Sequence, residues 1–102
     1  MEVNNIIARL ALNGYKVVLL PNEEIEVSRW RKARRFDLKG GKYDYDTIVK
    51  EFVLYVYGFA DETIEKLLAG KTVAVAYGSV SLYKNTLKTS YEDGSIKIEN
   101  LL

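Results

Sequence analysis

Five of the seven residues from position 29 to position 35 are basic, Arg29, Arg31, Lys32, Arg34 and Arg35, with Trp30 and Phe36 set among them. Guanidinium groups fork onto phosphates and aromatic rings stack on bases, so this stretch is the chain's one nucleic-acid signal. On a regular strand Arg29, Arg31 and Arg35 face one side, and Trp30, Lys32, Arg34 and Phe36 face the other, which splits the patch. A charged strand paired with Glu23, Glu24 and Glu26, its cations keeping a sheet edge from aggregating, accounts for the same residues. The chain's net charge is only +1, so any pull on a polyanion must be local.

Two further stretches carry groups able to bind. Tyr43-Asp44-Tyr45-Asp46 puts two phenols and two carboxylates just ahead of a helix pattern. The tyrosines could present rings to a partner peptide or shield a sheet, with Asp46 as helix cap. The spacing suits neither a calcium loop nor a catalytic carboxylate pair. Leu38-Lys39-Gly40-Gly41-Lys42-Tyr43 lacks the spacing of a phosphate-binding loop and reads as a flexible connection.

Histidine and cysteine are both absent. That removes the commonest general base and metal ligand, along with disulfides, zinc–thiolate sites and cysteine nucleophiles. The carboxylates, lysines and tyrosines that remain form no catalytic constellation, so no enzymatic activity, cofactor or metal is expected. No apolar run reaches the length of a membrane span and no secretory signal opens the chain, so the expected location is intracellular.

The elements that position these residues follow from periodicity. Ile6, Ile7, Leu10 and Ala11 form one helical face, with Asn4 or Asn5 as cap and Gly14 just past the end. Residues 15–20 read as a strand, Pro21-Asn22-Glu23 as a turn, and Ile25 and Val27 alternate with polar residues as in a half-buried strand. Residues 29–36 continue as a strand that bends or turns into another. Ile48, Phe52 and Tyr55 have helical spacing, which with Asp46 as cap and Gly58 as terminator predicts a buried linking helix over 46–58. The aromatic and β-branched run at 52–57 leaves a buried strand as the rival.

Asp61 as cap, acidic Glu62 and Glu65, and the face Ile64, Leu67 and Leu68 predict a further helix ending before Gly70. Residues 72–77 and 80–84 flank Gly78-Ser79, which predicts a two-residue hairpin turn with Tyr77 opposite Val80 and Val75 opposite Leu82. Asp93-Gly94 marks another hairpin, leading into a strand on which Ile96 and Ile98 share a face.

Residues 7–20 and 63–76 thus repeat one order of signals, an apolar-periodic helix, a glycine and a Val/Leu-rich strand, 56 positions apart. Identity within that window is confined to Leu12/Leu68, Gly14/Gly70 and Val17/Val73. With Leu12-Asn13-Gly14 echoed by Leu68-Ala69-Gly70, tyrosine-rich strands and neither Cys nor His, the chain resembles the small proteins of Acidianus filamentous viruses, which infect hyperthermophilic archaea. The resemblance implies an α+β protein of two similar motifs, with no enzymatic role assigned and no functional residues to carry over.

The expected architecture is therefore α+β. It is a single domain over 1–102, with one helix-plus-antiparallel-strand motif over about 3–41, a linking helix over about 46–58 and a second motif over about 61–99. The expected function is protein–protein interaction, an extended peptide or partner subunit being taken in a groove between the motifs or at a strand edge, with Trp30, Arg31, Tyr43, Tyr45 and Tyr83 as contact residues. The alternative is a nucleic-acid binding accessory protein using Arg29, Arg31, Lys32, Arg34 and Arg35. The expected partner is a protein or peptide, nucleic acid being less favoured and a membrane excluded, and a homodimer is compatible with the same surfaces.

Overall fold

A computed structural model describes residues 2–102 in backbone and 3–102 in side chain. It is α+β, with three helices and two antiparallel sheets of three and four strands, and divides into two compact units, Met1–Ile48 and Val49–Leu102.

The first unit opens on α1 (Glu2–Leu12), which buries Ile6 and Leu10 one turn apart. The helix is already running at Asn4 and Asn5, so neither asparagine is its cap. At its end Gly14 takes φ 94°, and Tyr15 N–H reaches back to the Leu10 carbonyl at 3.0 Å, a closure that satisfies carbonyls the helix leaves orphaned. Strand β1 (Lys16–Leu20) follows, then the short 3-10 turn Pro21–Glu23, β2 (Glu24–Arg29) and β3 (Lys32–Asp37), paired in the order β1-β2-β3.

The β2–β3 connection is a two-residue turn at Trp30 and Arg31, with Arg29 paired to Lys32. Both turn residues have positive φ, 52° and 62°, the mirror-image turn that matches strand twist but which L-residues other than Gly, Asn and Asp rarely accept. Cross-strand pairing puts Ile25 with Phe36 and Val27 with Arg34 on the buried face, and Glu24 with Asp37 and Glu26 with Arg35 on the other. Phe36, Ile25 and Val27 are almost wholly buried, so this face is the unit's core.

Helix α2 (Tyr45–Val56) bears out the helical reading of the linking segment and excludes the strand. Its cap is Asp44 rather than Asp46: Asp44 Oδ1 accepts the Thr47 N–H at 2.8 Å, placing Asp46 inside the first turn. Gly58, at φ 99°, terminates it as expected.

In the second unit α3 (Asp61–Leu68) buries Ile64 and Leu67. Ala60 occupies the cap position without a side-chain bond, so Asp61 acts from inside the first turn, beside Glu62, on the helix dipole. Strands β4 (Val73–Val75), β5 (Gly78–Tyr83), β6 (Thr86–Tyr91) and β7 (Ile96–Asn100) pair in sequence order. The first hairpin differs from the expectation: its loop is Ala76-Tyr77, pairing Val75 with Gly78 and Val73 with Val80. Gly78 is therefore a strand residue, where a Cβ would overlap the Ser90 carbonyl oxygen, so the glycine marks close backbone approach and not a turn. The turn at Asp93-Gly94 is present, closed by Asp93 Oδ1 accepting from the Ser95 N–H at 2.9 Å and hydroxyl at 2.6 Å. Ile96 and Ile98 do share a face, and it is an exposed one.

Both units contain the run helix, glycine, strand, turn, strand, two-residue turn, strand, which in the second is preceded by most of α2 and followed by β7. The match does not extend to side-chain faces. Arg29, the residue before the first unit's hairpin turn, lies on the same face as buried Val27, whereas Tyr83, before the turn at Lys84-Asn85, lies opposite buried Val80 and is exposed.

Candidate functional site

The first unit's charged and aromatic side chains interleave. The Arg29 guanidinium lies 4.4 Å from the Trp30 ring centre and 4.9 Å from that of Tyr15, whose ring meets Trp30 edge-on at 6.2 Å. Arg29 Nη1 also donates to the Asn13 carbonyl at the end of α1, at 2.9 Å. The Tyr15 phenol is pushed above the ordinary tyrosine value by burial, with Arg29 pulling it down and neighbouring Tyr45 adding to the rise. Over the Tyr45 ring sits the Arg9 guanidinium, 4.0 Å from its centre. The first unit therefore holds two cation–ring groups, Arg29 with Trp30 and Tyr15, and Arg9 with Tyr45.

Beside Arg9 lies a cleft of about 550 Å³, within the range of ligand sites. Val3, Ile6 and Leu38 give it an apolar floor, Tyr43 and Tyr45 supply rings, and Arg9, Glu23 and Asp44 supply charge. Tyr43 is held in place by an edge-on contact with Phe36, centroids 5.3 Å apart. One wall is the Gly40-Gly41 backbone, and a Cβ at either glycine would meet nothing within 4 Å. With φ of 86° and 70°, these two exposed positions carry no side chain over the backbone, and the Gly41 N–H is engaged with the Leu38 carbonyl at 3.3 Å.

The residues singled out from the sequence fall in three places. Tyr43 and Tyr45 line the cleft, and Trp30 (54% exposed) and Arg31 form the β2–β3 turn. Tyr83, 72% exposed, ends β5 in the second unit. The basic cluster is divided. Lys32 and Arg34 share the face of Arg29, Arg31 is at the tip, and Arg35 lies on the opposite face with its Nε 3.8 Å from Glu26. The Glu26–Arg35 pair is the cross-strand partnership expected of a charged strand.

Arg9 was not legible as a site residue, because one cation on an exposed helix face carries no signal until Tyr45 is brought beneath it. Glu23 and the diglycine join the site only through folding. Among the described residues no three acidic side chains gather to hold a metal ion, and no helix is long and apolar enough to cross a membrane. Comparison with protein-family models, curated proteins and solved structures finds no significant match.

Proposed function

We propose that this chain is a non-enzymatic protein-interaction module, and that the cleft of its first unit takes an extended peptide. The observation that carries the reading is a cleft that Tyr43, Tyr45 and Arg9 line together with the exposed Gly40-Gly41 segment, where no side chain bars a guest from the backbone. Peptide groups of a guest can pair with exposed backbone, side chains can enter the apolar floor, and Arg9 offers a charge-assisted bond to a carboxylate or carbonyl. The strained Trp30-Arg31 turn supports a second point of contact at the hairpin tip. Two bulky residues in left-handed conformation cost roughly 1–2 kcal/mol each, and such strain concentrates where a side chain must be presented. A viral origin, with the host cytoplasm as location, belongs to the same proposal.

Selection from a random peptide library against the whole chain tests it. Enriched sequences should bind the wild type and lose about tenfold or more in affinity to Tyr45→Ala or Arg9→Ala. Failure to enrich any sequence, or undiminished binding by both variants, would overturn it.

The hairpin tip supports a second reading, nucleic-acid binding, since Arg31 and Lys32 are exposed beside Trp30. It requires affinity for DNA or RNA that falls steeply with salt and disappears in the Arg31→Ala/Lys32→Ala double variant. No gel shift at low salt would dispose of it.

A further inference from the structure

The second unit holds a cleft of its own, of about 490 Å³. Tyr57 and Phe59 reach it from the turn at Gly58 that ends α2, Tyr77 from the β4–β5 loop, Tyr91 from the end of β6, and Lys97 and Glu99 from β7. The Tyr77 and Tyr91 rings lie 5.6 Å apart at 32°. The Tyr57 hydroxyl donates to Glu99 Oε2 at 3.2 Å, and Lys97 Nζ stands 3.6 Å from the same oxygen. Burial, and then the Glu99 charge, push the Tyr57 phenol above its ordinary value, so it stays a neutral donor to the carboxylate.

Four aromatic side chains line this cleft, with the Glu99 carboxylate beside Tyr57 and the Tyr77–Tyr91 pair further along the strands, a lining suited to an organic cation. Ring faces attract ammonium groups, and the carboxylate supplies the countercharge. We propose that this cleft binds the ammonium group of a lysine side chain, methylated or not, presented by a partner polypeptide. The proposal is independent of the groove in the first unit.

Charge complementarity selects this occupant. A wholly apolar guest would strip water from Glu99 without replacing it, which is unfavourable. Lys97 shows that an ammonium is accommodated at Glu99, and with its side chain 57% exposed the internal pair is held loosely. A guest cation therefore competes with Lys97 for the same oxygen. Each methyl added to the guest lowers the cost of drying its charge while keeping the attraction to the rings, so methylation should tighten binding.

An NMR titration of the whole chain tests this, using the acetylated and amidated tripeptide Gly-trimethyllysine-Gly and its neutral analogue in which carbon replaces the quaternary nitrogen. The cationic probe should shift the amides of Tyr57, Tyr91 and Glu99, with the neutral analogue about tenfold weaker or worse. Glu99→Gln, which keeps an acceptor for Tyr57, should weaken the cationic probe by a similar factor, and Lys97→Met should tighten it. Equal binding of both probes, no shift at millimolar cation, or Lys97→Met leaving affinity unchanged or lower would overturn the proposal. The Lys97→Met arm keeps the test decisive even if Glu99→Gln does not fold.

Discussion

Arg29 closes the C-terminus of α1 by donating from Nη1 to the Asn13 carbonyl at 2.9 Å. The helix presents unsatisfied carbonyls and partial negative charge there, and a cation in that place is doubly favourable. Gly14 makes room for it, since a Cβ at that position would lie 3.0 Å from Arg29 Nη2. The first cation of the basic cluster thus already has a structural task, tying the hairpin to the helix.

Removing that tie should be measurable. Arg29→Ala should lose about 1–2 kcal/mol in urea denaturation, from one charge-assisted hydrogen bond and two partly exposed ring contacts. Arg29→Lys should recover only a small part of it, because an ammonium cannot stack between Tyr15 and Trp30 while reaching Asn13. Trp30 is the chain's one tryptophan, so its fluorescence reports the same change directly. A stability within a few tenths of a kcal/mol of wild type would show that the contact contributes nothing.

The cap of α2 separates two neighbouring aspartates. Asp44→Ala should cost about 1 kcal/mol by thermal or chemical unfolding, since it orphans the Thr47 N–H. Asp46→Ala should cost only about 0.3–0.5 kcal/mol, the dipole share of an acidic residue in the first turn. Reversal of that order would return the cap to Asp46.

Gly78 and Gly94 both have positive φ, and only one is enclosed. Gly94→Ala should cost about 1–2 kcal/mol from backbone strain alone. Gly78→Ala should cost roughly 3 kcal/mol or more, because its Cβ overlaps the Ser90 carbonyl and the β5–β6 ladder must part. Equal losses in denaturation would place Gly78 in a turn after all.

Alkaline pH should weaken the fold. Tyr15 and Tyr57 both ionise above the ordinary tyrosine value of 10.0, each chiefly because of burial. A group whose folded pKa is raised contributes stability below its unfolded pKa, and that contribution is lost as pH rises through the folded one. Stability should therefore fall from about pH 10 upward. Phenolate absorbance should show a late-titrating fraction that Tyr15→Phe and Tyr57→Phe each reduce.

Helix ends were legible in the sequence because glycine after an apolar stripe has one dominant use, and Gly14, Gly58 and Gly70 each close a helix through the same back-reaching bonds. Helix starts were less so. Asp44 and Asp46, or Ala60 and Asp61, differ by one or two positions, and only the hydrogen bond decides which is the cap. At Gly78 the local turn signal competed with a long-range one, the approach of the β6 backbone, which no neighbouring residue announces. The site was legible as residue types, in Tyr43, Tyr45 and Trp30, and hidden as an arrangement. Arg9 and Tyr45 stand 36 positions apart in the chain, and Glu23, the two glycines, Tyr43 and Asp44 are also remote from α1 in sequence. Tyr57, Tyr91 and Glu99 likewise come to line one cleft only through the fold.

The most direct test of the peptide-binding account is the NMR amide map of the chain titrated with its best library-selected peptide, in wild type and in Tyr45→Ala. The account predicts the largest shifts at Gly40, Gly41, Tyr43 and Arg9, and their loss in the variant at the same peptide concentration. Shifts confined to residues outside the first unit's cleft, or an identical map in Tyr45→Ala, would contradict it.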